Sequence, residues 1–89
     1  MKRGGVTSGA DYNSFTQSGV YYVSYDSASD VKNAPTTSYK YGTLVVLDGG
    51  VYLAQLFVPD SSTARMYVRS HQHSKNTWTK WQYASLTSE

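Results

Sequence analysis

Hydrophobic and polar positions alternate along this chain in short runs, and Gly, Pro, Asn and Asp separate the runs. Residues 19–24 (GVYYVS) are dense in β-branched and aromatic side chains and predict a first strand. Residues 42–47 (GTLVVL) predict a second, and the Asp48-Gly49-Gly50 that follows is a strong hairpin signal. The third strand, 51–58, stops at Pro59, and Asp60-Ser61-Ser62-Thr63 turns the chain into a fourth, 65–69. A polar tip at 71–76 leads to a fifth, 78–84. Only one segment suits a helix: Asp11 can cap a short one over 11–17, ended by Gly19, with Tyr12 and Phe15 on one side. The expected fold class is mainly β, a small antiparallel β-meander sheet of about five strands with one short N-terminal helix.

The third strand carries information about burial. Val51, Leu53, Gln55 and Phe57 share one face, while Tyr52, Ala54, Leu56 and Val58 share the other. Apolar residues on both faces imply that both are covered. The short helix can cover one. A long loop or, preferably, a neighbouring chain must cover the other. Residues 26–41 show neither helical nor strand periodicity, and a structureless connection of that length inside a compact domain marks a candidate functional loop. The expected organisation is a linker or flexible segment over 1–10, one β domain over 11–84 and a tail over 85–89.

Composition narrows the possible chemistry. Charged residues make up 16% of the chain, against about 25% in ordinary globular proteins, and Ser, Thr and nine Tyr fill the gap. The net charge of +2 leaves no basic stripe of the kind nucleic-acid binders carry, so no nucleic-acid partner is expected. The longest apolar strings, 44–47 and 56–58, are strand-sized, and membrane insertion is not expected. A small secreted domain would often rely on disulfides, so a chain without cysteine is expected to fold in a cytoplasm.

No catalytic set is apparent, and the chain is not expected to be an enzyme. The single Glu is Glu89, whereas glycoside hydrolysis needs two opposed carboxylates. Asp11, Asp26, Asp30, Asp48 and Asp60 all fall at cap or turn positions. Phosphate-binding glycine patterns and a nucleophile elbow are missing, and no cofactor is implied. The candidate ligand-binding residues are instead aromatic and basic. Tyr25, Tyr39 and Tyr41 border the long loop, with Ser38 and Lys40 beside them, and Tyr suits recognition because it offers a large rigid contact area plus a hydroxyl. Packing explains these tyrosines as well. Arg65 and Arg69 flank Tyr67 on one strand face, where they could clamp an acidic glycan or sit in solvent. Trp78 and Trp81, three apart in a strand, project to opposite faces, so either one of them, Trp78 the candidate, is a sugar-stacking platform or a subunit contact, or Trp81 is core and Trp78 half-buried at the hairpin end. His71 and His73 alternate and are weak metal candidates. Imidazole suits iron, zinc, nickel and copper, but two ligands are too few for a closed site, and a solvated hairpin tip explains the pair more simply.

The order of these segments resembles a known family. Asp11-Tyr12-Asn13-Ser14-Phe15 followed by Ser18-Gly19-Val20-Tyr21-Tyr22-Val23 looks like the opening of the pyocin knob domain. Asn33-Ala34-Pro35 with Tyr41-Gly42-Thr43-Leu44-Val45-Val46 looks like its middle, and Tyr67-Val68-Arg69 with Trp78-Thr79-Lys80-Trp81 like its close. The resemblance spans about residues 11–83. It implies a module of a phage or phage-like tail fibre, usually a homotrimer, found in a virion or tail-like particle that is assembled in the host cytoplasm. There it would bind a bacterial surface glycan or space the fibre against other fibre proteins. The family brings no agreed ligand motif, so no binding residue transfers. The alternative is a carbohydrate-binding accessory module of a cell-wall or polysaccharide-degrading enzyme.

Overall fold

The computed structural model describes residues 2–36, 39–61 and 65–85. Ser38 of the long loop, residues 62–64 of the expected turn and residues 86–89 of the expected tail lie outside the described residues. The fold is mainly β: one sheet of mostly antiparallel strands with short 3-10 turns and no longer helix among the described residues. Its strands are β1 (Lys2–Val6), β2 (Gly19–Ser24), β3 (Tyr41–Asp48), β4 (Tyr52–Pro59), β5 (Arg65–Gln72), β6 (Thr77–Trp78) and β7 (Gln82–Ser85). The sheet order is β1-β2-β3-β4-β5, with β6 and β7 both paired to the free edge of β5.

Three expectations change in detail. Part of the segment expected as a linker, 1–10, is a strand: β1 pairs in parallel with β2, setting Gly4 opposite Tyr21 and Val6 opposite Val23. Val6 is fully buried, and that burial anchors a segment whose Gly content suggests flexibility. The short helix is a single 3-10 turn, Tyr12–Ser14, capped by Asp11 Oδ1 accepting from the Asn13 amide at 2.9 Å. Phe15 then leaves helical geometry at φ −92° and ψ 86°, its amide donating to the Tyr12 carbonyl at 3.2 Å. The expected fifth strand is two pieces. At the break the Thr79 amide donates to the Ser70 carbonyl (2.9 Å), and the Ser70 amide donates to Thr79 Oγ1 (3.0 Å).

The β3–β4 hairpin turns as expected on Asp48-Gly49-Gly50. Gly50 adopts φ +95°, a left-handed conformation open to glycine, and its amide donates to Asp48 Oδ1 at 2.9 Å. Gly42 has a different task. A Cβ there would collide with the Val58 carbonyl oxygen and lie 2.8 Å from the Pro59 Cα, so only glycine lets β3 and β4 close at that end.

One layer of irregular chain covers one face of the sheet. The crossover between β1 and β2 and the loop between β2 and β3 both lie on this face and pair with each other. The Gly9 amide donates to the Asp30 carbonyl (2.8 Å), the Lys32 amide to Ala10 (2.9 Å) and the Tyr12 amide to Lys32 (3.0 Å). Between this layer and the sheet lies the core of Val6, Tyr12, Tyr21, Val23, Tyr25, Val31, Leu44, Val46, Leu53, Phe57 and Tyr67. The long loop is therefore a cover rather than a free arm. It shares the face that the N-terminal segment covers and leaves the second face of the sheet uncovered within the described chain.

Candidate contact surface

Strand alternation fixes what the uncovered face displays. In β2–β4 the buried Tyr21, Val23, Leu44, Val46, Leu53, Gln55 and Phe57 point under the cover, so their neighbours point the other way. Tyr22, Tyr41, Val45, Leu47, Tyr52, Leu56 and Val58 therefore stand on the open face, continued in β5 by Met66 and Val68. Several are strongly exposed: Tyr52 at 60%, Leu47 at 56%, Tyr22 and Tyr41 at 49%. The remaining positions of this face in β2–β5 and β7 are Val20, Ser24, Thr43, Ala54, Ser70, Gln72, Gln82 and Ala84. None of these side chains is charged. A wetted antiparallel face normally alternates toward polar and charged residues, whereas this one carries apolar and uncharged polar side chains.

Shallow depressions lie on this face, two of them at its opposite ends. One, of about 320 Å³, runs along the β3–β4 hairpin beside Leu47, Tyr52, Ala54 and Ser70. The other, of about 420 Å³, lies at the opposite end between Tyr41, Thr43, Val58 and Asp60. Tyr41 is thus the one loop-border tyrosine placed to meet a ligand.

The other sequence candidates have packing roles. Tyr25 is a correction: it is 3% exposed and its hydroxyl lies 3.1 Å from that of Tyr12, so it is core and cannot bind a surface ligand. Burial and this hydrogen bond push the Tyr12 phenol well above its usual range. Tyr39 is half-buried against Tyr67, with ring centroids 6.3 Å apart. Arg65 is exposed, its guanidinium 4.4 Å from the Tyr83 ring centre.

Arg69 is the second correction. It is 6% exposed, and its Nε donates to Gln55 Oε1 at 2.8 Å. Its guanidinium lies 3.9 Å from the Trp78 ring centre and 4.6 Å from that of Trp81. The break between β6 and β7 brings both indoles to Arg69, where a continuous strand would send them to opposite faces. Neither a sugar platform at Trp78 nor a glycan clamp at Arg69 is available in this arrangement. Desolvation lowers the Arg69 pKa, and the charge of Asp11 partly restores it. Gln55, fully buried, completes the network: its Nε2 donates to the carbonyls of Tyr12 (2.8 Å) and Phe15 (2.9 Å). Trp81 Nε1 donates to the Asn33 carbonyl at 2.9 Å and ties the loop to the sheet edge.

His71 is likewise buried rather than at a solvated tip, with its ring 4.6 Å from that of Trp78, and His73 is half-exposed beside it. Asp11 and Asp48 fill the cap and turn roles expected of them. Asp11 Oδ1 also accepts from Asn33 Nδ2 (2.8 Å), and this bond, with the Asn13 amide, holds its carboxyl below the usual range. Asp48 is lowered first by the Gly50 amide and then by His73.

A two-layer β domain with one uncovered sheet face that carries no charged residue in β2–β5 or β7 is the class this geometry defines. Among known protein families, curated proteins and solved structures, none matches the chain. The knob resemblance accordingly rests on the residues quoted for it above.

The third strand, now β4, announces the open face in sequence, because both of its faces are apolar. The signal was present: every second position of β2, β3 and β5 also lacks charge. Gln55 gave no signal, because a polar residue among apolar neighbours reads as a solvent position until its partners are known.

Proposed function

We propose that this chain is a non-catalytic contact module of a phage-like tail fibre, working in a trimeric assembly at the bacterial surface. The observation that carries the reading is the uncharged open face of the sheet. Strands β2–β5 and β7, about 4.8 Å apart and rising about 3.4 Å per residue, present roughly 550 Å². Two faces of that size together bury about 1,100 Å², just under the lower end of stable interfaces. That size favours seating against another chain of the same fibre, with weak or no self-association of the isolated domain, because association costs consume much of a small interface's gain.

The test is light scattering on the chain alone and on a longer fibre polypeptide that contains it. The chain alone should be monomeric at micromolar concentration and the longer polypeptide trimeric. Leu47→Lys with Val68→Lys should keep the fold and lose the contact. A longer polypeptide that stays monomeric defeats the reading.

A second reading is favoured by Tyr41 and its depression, where an exposed ring stands near the Asp60 carboxylate. Sugars offer C–H faces to rings and hydroxyls to carboxylates, so this end suits direct glycan contact. It applies equally to a fibre tip and to an accessory module of a polysaccharide-degrading enzyme. Sequence adjoining the domain in its parent protein separates those two.

A further inference from the structure

The β5–β6 hairpin carries a line of polar side chains that the contact reading does not use. The Nδ1 atoms of His71 and His73 face each other at 3.2 Å. On the far side of each ring an oxygen receives Nε2. Asn76 Oδ1 lies 3.0 Å from Nε2 of His71, and Asp48 Oδ1 lies 3.0 Å from Nε2 of His73. Asn76 holds φ +50°, a conformation that asparagine tolerates, and so turns its side chain back onto His71. With Asn76 Oδ1 and Asp48 Oδ1 as acceptors, the Nε2–H tautomer of each imidazole satisfies both contacts. In that tautomer the two Nδ1 atoms are unprotonated and 3.2 Å apart. Such a pair repels unless a cation stands between them.

We propose that His71 and His73 form a binding site for one divalent transition-metal ion, held by their two Nδ1 atoms. At Zn–N distances of about 2.0–2.1 Å, two nitrogen ligands of a tetrahedral ion stand about 3.3–3.4 Å apart. The 3.2 Å separation of the two Nδ1 atoms is close to that value. Metal-bound histidines usually give their second ring N–H to a carboxylate or carbonyl, and Asp48 and Asn76 fill those outer positions. Nitrogen ligands select zinc, nickel or copper over calcium or magnesium. Among the described residues no group of three or more His, Cys, Asp or Glu is placed to hold a metal, so water completes the shell and affinity is modest. The half-exposed His73 gives the ion a way in, and Trp78 against His71 supplies a built-in reporter.

The experiment is titration of the untagged full chain with ZnCl₂ and NiCl₂ by calorimetry, with CuCl₂ quenching of tryptophan fluorescence in parallel. One equivalent should bind, raise Tm and, for copper, quench. His73→Ala, at a half-exposed position, should stay folded and lose binding. Asp48→Asn should weaken binding by about 10–100-fold, as loss of an outer-shell partner does. Absence of any heat or Tm shift up to millimolar metal overturns the proposal and leaves a shared proton between the rings. Equal binding by the His73→Ala variant overturns it too, by placing the metal elsewhere.

Discussion

Replacing Gln55 with Leu tests whether the cover layer is held to the sheet by one buried amide. Gln55 bonds three groups at once: the Tyr12 and Phe15 carbonyls of the crossover and the Arg69 guanidinium of β5. Leucine fits the volume but satisfies none of them. Tyr12 keeps a weaker donor in the Phe15 amide at 3.2 Å. Phe15 loses a buried donor, worth about 1–3 kcal/mol, and Arg69 loses a charge-assisted bond worth about 1.5–3 kcal/mol. A net loss of about 3–5 kcal/mol follows, in line with breaking other buried charged pairs. A chain of this size has about 4–13 kcal/mol in total. Urea unfolding followed by tryptophan fluorescence suits the measurement, because Trp78 and Trp81 both lie on Arg69. Adding Arg69→Met removes the stranded cation, so the double variant should be more stable than Gln55→Leu alone. A Gln55→Leu variant within about 1 kcal/mol of the parent would refute the reasoning, since such a loss is an ordinary surface-like effect.

The remaining expectations are narrower. Gly42→Ala should destabilise the fold by about 2 kcal/mol or more, because the new Cβ meets the backbone of Val58 and Pro59. Gly5→Ala should cost less, since its Cβ meets the half-exposed Tyr22 ring, which can swing aside, and thermal melts rank the two. Asp11 has a lowered folded pKa, so its contribution is present above the unfolded value of 3.8 and is lost as pH falls through the folded one. Asp11→Asn should flatten that acid slope in melts between pH 5 and pH 2, on the order of the usual carboxylate range. Tyr41→Ala should leave Tm nearly unchanged and, if the domain meets a glycan directly, weaken cell adsorption by more than about 1 kcal/mol. Tyr39→Ala is the poorer probe because it also strips packing from Tyr67.

Local pattern made most of the sheet legible. The runs behind β2 to β5 are β-branched and aromatic, and their boundaries are Gly, Pro and Asp, residues whose backbone preferences act within a few positions. The Asp48-Gly49-Gly50 turn and the cap at Asp11 are likewise local events. Three matters depended on partners distant in sequence. Lys2 to Val6 becomes a strand because it lies beside β2 and buries Val6, which the Gly-rich sequence around it does not announce. Trp78 and Trp81 meet at Arg69 because Ser70 and Thr79 pair across the hairpin and break the strand between the two indoles. Arg69 and Tyr25 look like surface ligands in sequence, since charge and a hydroxyl usually seek water. Gln55 and Tyr12 provide the buried partners that make their desolvation tolerable. Alternation determined that the strands carry two distinct sets of residues. Which set would be covered was decided only when both irregular segments settled on the same face of the sheet, pairing with each other through residues 9–12 and 30–32.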